Sequence, residues 1–236
     1  MDDEIQYIFV EAPHWLDEAY DAAIAATDTG IIARNTHNID RISWLLARAP
    51  KPFRSGVDIG AGHGHFVRGM RDQGFPFFWQ DKYAENLFAR GFEAGDAKYD
   101  VAVAFEVLEH LENPAAFLEE AHAKYGFDTL FFTATCFQEG EVPPEDWWYW
   151  AHESGQHISF FSRTALEHVA ERLDMRLFHL HGDLFAMSRL DWSRVRLPRL
   201  RLWRDLTRRS RPSLTMTDHE VIREGLREKQ AGFAKD

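Results

Sequence analysis

The chain has 236 residues, 45% of them hydrophobic, one cysteine (Cys136) and a formal net charge of −11. That supports one α/β domain with additions around a true core, and it excludes a collagen-like or disordered chain and any intrachain disulfide. The N-terminus Met1-Asp2-Asp3-Glu4 is acidic where a secretory signal is basic, and no apolar run approaches the roughly 18 residues of a membrane span, so a soluble cytoplasmic protein is expected.

Trp15, Leu16, Ala19, Ala22, Ala23 and Ala26 predict an amphipathic helix that stops near Gly30. A second helix runs from about Asn38 to Ala49, carries Ile39, Ile42, Leu45 and Leu46 on one face, and ends at Pro50 and Pro52. Asp28–Thr36 between them is rich in polar groups and reads as a loop able to fold over a site. Residues 1–50 are thus expected to form a helical cover.

An alternating pattern follows over residues 51–188. Gly56–Ile59 reads as a strand, Gly64–Asp72 as a helix, Phe77–Gln80 as a strand and Ala84–Arg90 as a helix. Phe92-Glu93 is a short candidate strand, and the apolar run Tyr99–Phe105 is a buried one. Asn113-Pro114 opens a helix to about Lys124, because proline suits a first helical turn. Asp128–Thr135 is the next strand, and a long aromatic loop then runs to about Phe161. Ser162 caps a helix through Leu173. Met175–His181 and Leu184–Ser188 form a hairpin around Gly182-Asp183. Strands alternating with helices predict an α/β fold with a doubly wound, mostly parallel sheet and an antiparallel hairpin edge.

Residues 189–236 form a basic extension, expected to be helical. Within 188–211, nine arginines face only Asp191 and Asp205, a surplus of seven positive charges that leaves −18 on the rest. The segment reads either as a surface for weak contact with anions or as a solvated helix with arginine stems over a core edge. The acidic remainder argues against general nucleic-acid binding.

Val57-Asp58-Ile59-Gly60-Ala61-Gly62-His63-Gly64 ends a strand in alternating glycines and opens a helix. Glycine admits a ligand close to the backbone, and the helix N-terminus faces it, as a nucleotide-like cofactor requires. The pattern is D-x-G-x-G-x-G. A dinucleotide fingerprint would place its third glycine where His65 stands, and the lysine of a phosphate-binding P-loop is absent. Asp81, about 20 residues on at a strand end, suits two ribose hydroxyls.

These motifs, with Asp81-Lys82-Tyr83 and Tyr99-Asp100-Val101-Ala102-Val103-Ala104-Phe105-Glu106-Val107-Leu108-Glu109-His110-Leu111, resemble the class I S-adenosylmethionine-dependent methyltransferases. The segment Gly155–Ser162 is similar to bacterial members of carbohydrate and glycan pathways. The resemblance implies a Rossmann-like fold, S-adenosylmethionine as cofactor and a sugar hydroxyl of a glycan or glycan precursor as acceptor. It places Asp58, Gly60, Ala61, Gly62, Gly64, Asp81 and Lys82 at the cofactor, with Phe92 or Phe105 beside the adenine.

A hydroxyl is a poor nucleophile at neutral pH and needs a base or a metal. Glu106, Glu109 and His110 are spaced i, i+3, i+4 and share a face if a helical turn starts there. His157 belongs to the later loop. Two carboxylates and two imidazoles suit a divalent metal such as Mg²⁺ or Mn²⁺, and the set is similar to that of metal-dependent O-methyltransferases. The competing readings are a metal-free histidine base, with Glu106, His110 and His157 as the catalytic candidates, and purely structural roles. Trp147, Trp148 and Tyr149 are candidate acceptor contacts, or else a satellite hydrophobic cluster. Arg34, with Tyr20 and Asn35, is a candidate for a cofactor carboxylate or an acceptor oxygen. An RNA 2′-O-methyltransferase and a non-catalytic cofactor-binding partner are the alternative functions.

Overall fold

The computed structural model describes residues 7–14, 28–153, 155–197, 220, 223 and 224. The predicted helix over Trp15–Ala26, Tyr20 with it, and most of the basic extension lie outside the described residues. In chain order the elements are β1 (Tyr7–Phe9), α1 (Ile31–Leu46), β2 (Gly56–Ile59), α2 (His65–Asp72), β3 (Phe77–Gln80), β4 (Val101–Ala104) and α3 (Pro114–Tyr125). They continue with β5 (Thr129–Thr133), β6 (Ser159–Phe161), α4 (Arg163–Arg172), β7 (Arg176–His181) and β8 (Leu184–Ser188).

Six strands form the main sheet in the order β3-β2-β4-β5-β8-β7. The first four pair in parallel, and the β7–β8 hairpin joins β5 antiparallel, as the alternation predicted. Strand alternation divides the core in two. Ala102, Ala104, Leu130 and Phe132 face Leu118 of α3 and Leu166 of α4. Val101, Val103 and Phe131 face Ile42 and Leu45 of α1 and Phe66 and Met70 of α2. The result is helices on both faces of a sheet, the layering that lets a mostly parallel sheet bury both sides. The order reverses between β2 and β4, which puts a ligand crevice outside their carboxyl ends.

The caps were readable. Asn113 Oδ1 accepts from Ala116 N at 3.0 Å with Pro114 in the first turn of α3. Ser162 Oγ accepts from Ala165 N at 3.2 Å to start α4.

Four local readings differ. α1 begins at Ile31, inside the expected loop, because Asn35 Nδ2 and Thr36 Oγ1 donate back to the carbonyls of Ile31 and Ile32 and do not compete with the helix. The expected helix over Ala84–Arg90 does not form. Asp81 Oδ1 takes the N–H groups of Tyr83 and Ala84, the His63 carbonyl takes those of Leu87 and Phe88, and Asn86 Oδ1 takes that of Ala89. The strand at Phe92-Glu93 reduces to one parallel bridge between Trp79 and Glu93. Finally, the aromatic loop ends in a strand, β6, which pairs antiparallel with β1.

The core also runs past residue 188. Trp192 is fully buried against Phe131, with centroids 4.9 Å apart, and its Nε1 donates to Ser188 Oγ at 3.1 Å. Among the described residues, no helix is long and apolar enough to cross a membrane.

Candidate active site

The glycine turn lies at the carboxyl end of β2. Gly60, Gly62 and Gly64 all take positive φ, at 75°, 52° and 86°. A Cβ on Gly60 would meet Val107 Cγ2 at 2.6 Å, so Gly60 is where the loop packs on the segment after β4. A Cβ on Gly62 would meet nothing within 4 Å, so this side of the loop is open. Such an open glycine face admits a ligand to the backbone.

Asp81 closes the loop from β3. Its Oδ2 accepts from Gly62 N at 2.8 Å and its Oδ1 from Tyr83 N and Ala84 N at 2.7 and 2.8 Å. Asp58 is buried on β2, and burial together with the nearby Asp81 charge pushes its carboxyl well above the usual range. Lys82 is exposed and lies over the Tyr83 ring. The two adenine candidates each pack on one neighbour. Phe105 packs edge-on against Phe66 at 5.1 Å, and Arg71 stacks on Phe92 at 3.4 Å.

Beyond β4 the backbone turns sharply. Glu106 has φ of 54°, uncommon outside glycine, and a 3₁₀ turn follows at Leu108–His110. Glu106 therefore stands before that turn, not on a shared helical face with Glu109 and His110. Thr133, at the end of β5, holds it: the Thr133 hydroxyl donates to Glu106 Oε1 at 2.8 Å and accepts from Glu106 N at 2.9 Å. Arg34 Nε from α1 lies 3.8 Å from Glu106 Oε2, while its Nη2 pairs with both Asp28 oxygens at 2.8 Å. Burial, then the Glu109 charge, raises the Glu106 pKa, and Arg34 partly offsets them.

Glu109, His110 and His157 converge, with one ligand atom from each lying within 4.8 Å of the others. Glu106 is not in this group. The His110 and His157 rings meet edge to face at 5.0 Å. His110 Nδ1 contacts the Gln156 carbonyl at 2.9 Å and His157 Nδ1 the Tyr149 carbonyl at 2.8 Å. A carbonyl only accepts, so Nδ1 carries the proton and Nε2 carries the lone pair. Burial lowers both pKa values, that of His157 to about 4, which keeps both rings neutral near pH 7. Glu109 is buried and its pKa rises to about 7, mainly through burial. No donor reaches either of its oxygens with full hydrogen-bond geometry. Its own backbone N–H, then the nearby Tyr149 phenol and the Arg34 charge, pull its pKa only partway back.

Orphaned buried carboxylate oxygens beside two histidines anchored at Nδ1 fit a divalent cation, since ligating histidines characteristically give their other N–H to a carbonyl or carboxylate. Glu109, His110 and His157 therefore have the donor chemistry for it.

The aromatic loop divides. Tyr149 is buried with Phe137 and Phe160, and Trp147 and Trp150 pack on them. Trp148 is 73% exposed. The satellite cluster is present, then, and Trp148 is the aromatic ring it leaves open. Thr133, Gln156, Asp28 and Val107 were given no individual role from the sequence, although Asp28 opened the polar loop, Val107 and Gln156 lay in the resembling motifs, and Thr133 was a polar residue at the carboxyl end of a buried strand.

Residues 31–180 match a family model described as a methyltransferase domain. No curated protein matches the chain. A solved structure of magnesium protoporphyrin IX methyltransferase (ChlM) from Synechocystis PCC 6803 with bound SAH is 14% identical, with a TM-score of 0.51 over 73% of this chain and 92% of that one. TnmH is 16% identical, with a TM-score of 0.47 over 74% of this chain, which spans 60% of TnmH. A 1,6-didemethyltoxoflavin-N1-methyltransferase from Burkholderia thailandensis is 14% identical, with a TM-score of 0.49 over 81% of this chain and 98% of that one.

Proposed function

This chain belongs to the methyltransferase-domain family matched over residues 31–180, and on that premise we propose an S-adenosylmethionine-dependent O-methyltransferase whose acceptor is a sugar hydroxyl of a glycan or glycan precursor. The observation that carries the metal-assisted form of this reading is the meeting of Glu109, His110 and His157 within 4.8 Å, the first two on the segment whose Val107 backs the glycine loop.

The chain's own groups divide the work. The open side of Gly62 lets the cofactor approach the backbone. An ionised carboxylate offers about four lone-pair positions. Backbone donors take three on Asp81, so a ribose hydroxyl bonds at the remaining one or displaces the Gly62 N–H. S-adenosylmethionine would supply a methyl carbon activated by its sulfonium, and Glu109, His110 and His157 would hold a divalent cation that would lower the pKa of an acceptor hydroxyl. Glu106 Oε2 accepts the hydroxyl proton. Its pKa is raised, which makes it a better base, and Thr133 holds Oε1 so that Oε2 keeps its aim. Arg34 steadies the carboxylate from α1. Trp148 offers an exposed ring face for a sugar.

The test is methyl transfer to a panel of sugars and to short RNAs, with and without chelator. Sugar turnover should fall at least about 100-fold in chelator and in Glu109→Ala and His157→Ala, as expected when a ligand or its support is lost. Full activity in excess chelator would remove the metal. Absence of a calorimetric signal with S-adenosylhomocysteine would remove the enzyme reading. Turnover of RNA with a steep salt dependence would favour the 2′-O-methyltransferase alternative.

A further inference from the structure

Tyr149 is tied to two members of the buried triad by different parts of itself. Its carbonyl oxygen accepts from His157 Nδ1 at 2.8 Å, and the two rings meet at 4.7 Å. Its phenol is near enough to interact with Glu109 and also meets the Thr135 backbone, while neither Glu109 oxygen holds a hydrogen bond of full geometry. The residue is 3% exposed and sits in the 3₁₀ turn Trp148–Trp150. Trp147 at 5.3 Å and Phe160 at 6.2 Å brace its ring. Trp150 packs on Phe160 at 4.6 Å and gives its Nε1 to the Pro144 carbonyl at 2.8 Å. The loop is thereby built as a rigid bracket whose inner end is Tyr149.

We propose that Tyr149 is a positioning residue: its carbonyl selects the His157 tautomer with the lone pair on Nε2, and its phenol aims the Glu109 carboxylate at that lone pair. The phenol's role rests on the metal-assisted reading above; the tautomer's does not. A backbone carbonyl survives every substitution, so its placement depends on the ring that wedges the turn into the cluster. Outer partners of this kind typically set ligand orientation and are worth about 10–100-fold in metal affinity.

The test uses the full chain with nitrogen-labelled histidine and Mn²⁺ as the probe. In chelated wild type, long-range NMR spectra should place the His157 proton on Nδ1. Tyr149→Phe should keep that tautomer and weaken Mn²⁺ binding about 10-fold by calorimetry, and Tyr149→Ala should give mixed tautomers and a loss of about 100-fold. An unchanged His157 tautomer in Tyr149→Ala overturns the proposal, as does wild-type affinity in Tyr149→Phe. If wild type takes up no Mn²⁺, the metal-assisted reading fails and takes the phenol's role with it, while the tautomer comparison still decides the carbonyl's role. If Tyr149→Ala does not fold, Tyr149→Leu, which keeps an apolar body in the cluster, replaces it in the same comparison.

Discussion

His110 and His157 meet edge to face with centroids 5.0 Å apart, and each commits its Nδ1 to a backbone carbonyl. The two rings lie 47 residues apart in the chain, and their shared geometry presents Nε2 lone pairs towards a buried carboxylate. The electrostatics of that meeting carry a pH signature.

Burial lowers His157 from 6.5 to about 4 and raises Glu109 from 4.5 to about 7. The unfolded chain binds the His157 proton more tightly, so this group removes stability as pH falls from 6.5 towards 4. Glu109 has the opposite sign: its contribution is present below 4.5 and is lost as pH rises through 7. Each linkage is at most on the order of 3 kcal/mol, and they oppose between pH 4.5 and 6.5. In chelator, Glu109→Gln should therefore lose stability on acidification more steeply than wild type, and His157→Gln should lose it on going from pH 4.5 to 7. Urea unfolding across this range decides, and parallel curves for all three proteins would refute the assignment.

The glycines separate stability from binding. Gly60→Ala drives a Cβ to 2.6 Å from Val107 at φ 75°, whereas Gly62→Ala meets open space at φ 52°. Both incur about 1–2 kcal/mol for left-handed backbone, and Gly60→Ala adds the clash. We expect the larger loss of stability in Gly60→Ala. Gly62→Ala should stay folded yet lose S-adenosylhomocysteine binding, because its methyl occupies the ligand side. Wild-type affinity by calorimetry in Gly62→Ala would move the cofactor elsewhere.

Neighbouring tryptophans should behave differently. Trp148 is 73% exposed, so Trp148→Ala should change stability by no more than about 0.5 kcal/mol while raising the acceptor KM several-fold. Trp150 is half-buried, packs at 4.6 Å on Phe160 and donates to Pro144, so Trp150→Ala should lose more, about 1–3 kcal/mol. Thermal unfolding and acceptor saturation curves measure the two effects.

Arg41 of α1 is buried and bonds Asp183, in the β7–β8 turn, at 2.7 Å and also Asn38. Removing Asp183 strands a buried guanidinium. Asp183→Ala should lose about 2–3 kcal/mol, below the full range for a buried pair because Asp183 itself is half exposed. Arg41→Met, which removes the charge and keeps the volume, should lose less. Equal losses in denaturant titrations would show that the charge is not what matters there.

Much of this molecule was legible along the chain because its information is local. Hydrophobic runs placed β2, β3, β4 and β5, and Asn113 and Ser162 marked helix starts. The alternating glycines with Asp81 marked the turn whose Gly62 side is open. Local polar competition defeated the reading over Ala84–Arg90, where His63, Asp81 and Asn86 take the N–H groups a helix would use. The site was half legible. Glu109, His110 and His157 were named together. Glu106 was placed on their face by a helical spacing that the left-handed turn at its own φ of 54° breaks.

The sequence by itself determined the layered α/β architecture and the glycine turn, since propensity, periodicity and spacing act over a few residues. Only the tertiary structure decided which aromatic rings of the loop are buried and which is open, and that Tyr149 faces inward. It also decided that Thr133 and Arg34 hold Glu106 while Gln156 and Tyr149 hold the histidines. Those contacts join β5, α1 and the loop before β6 to the end of β4. Their partners are chosen by packing across the carboxyl edge of the sheet, which no local pattern encodes.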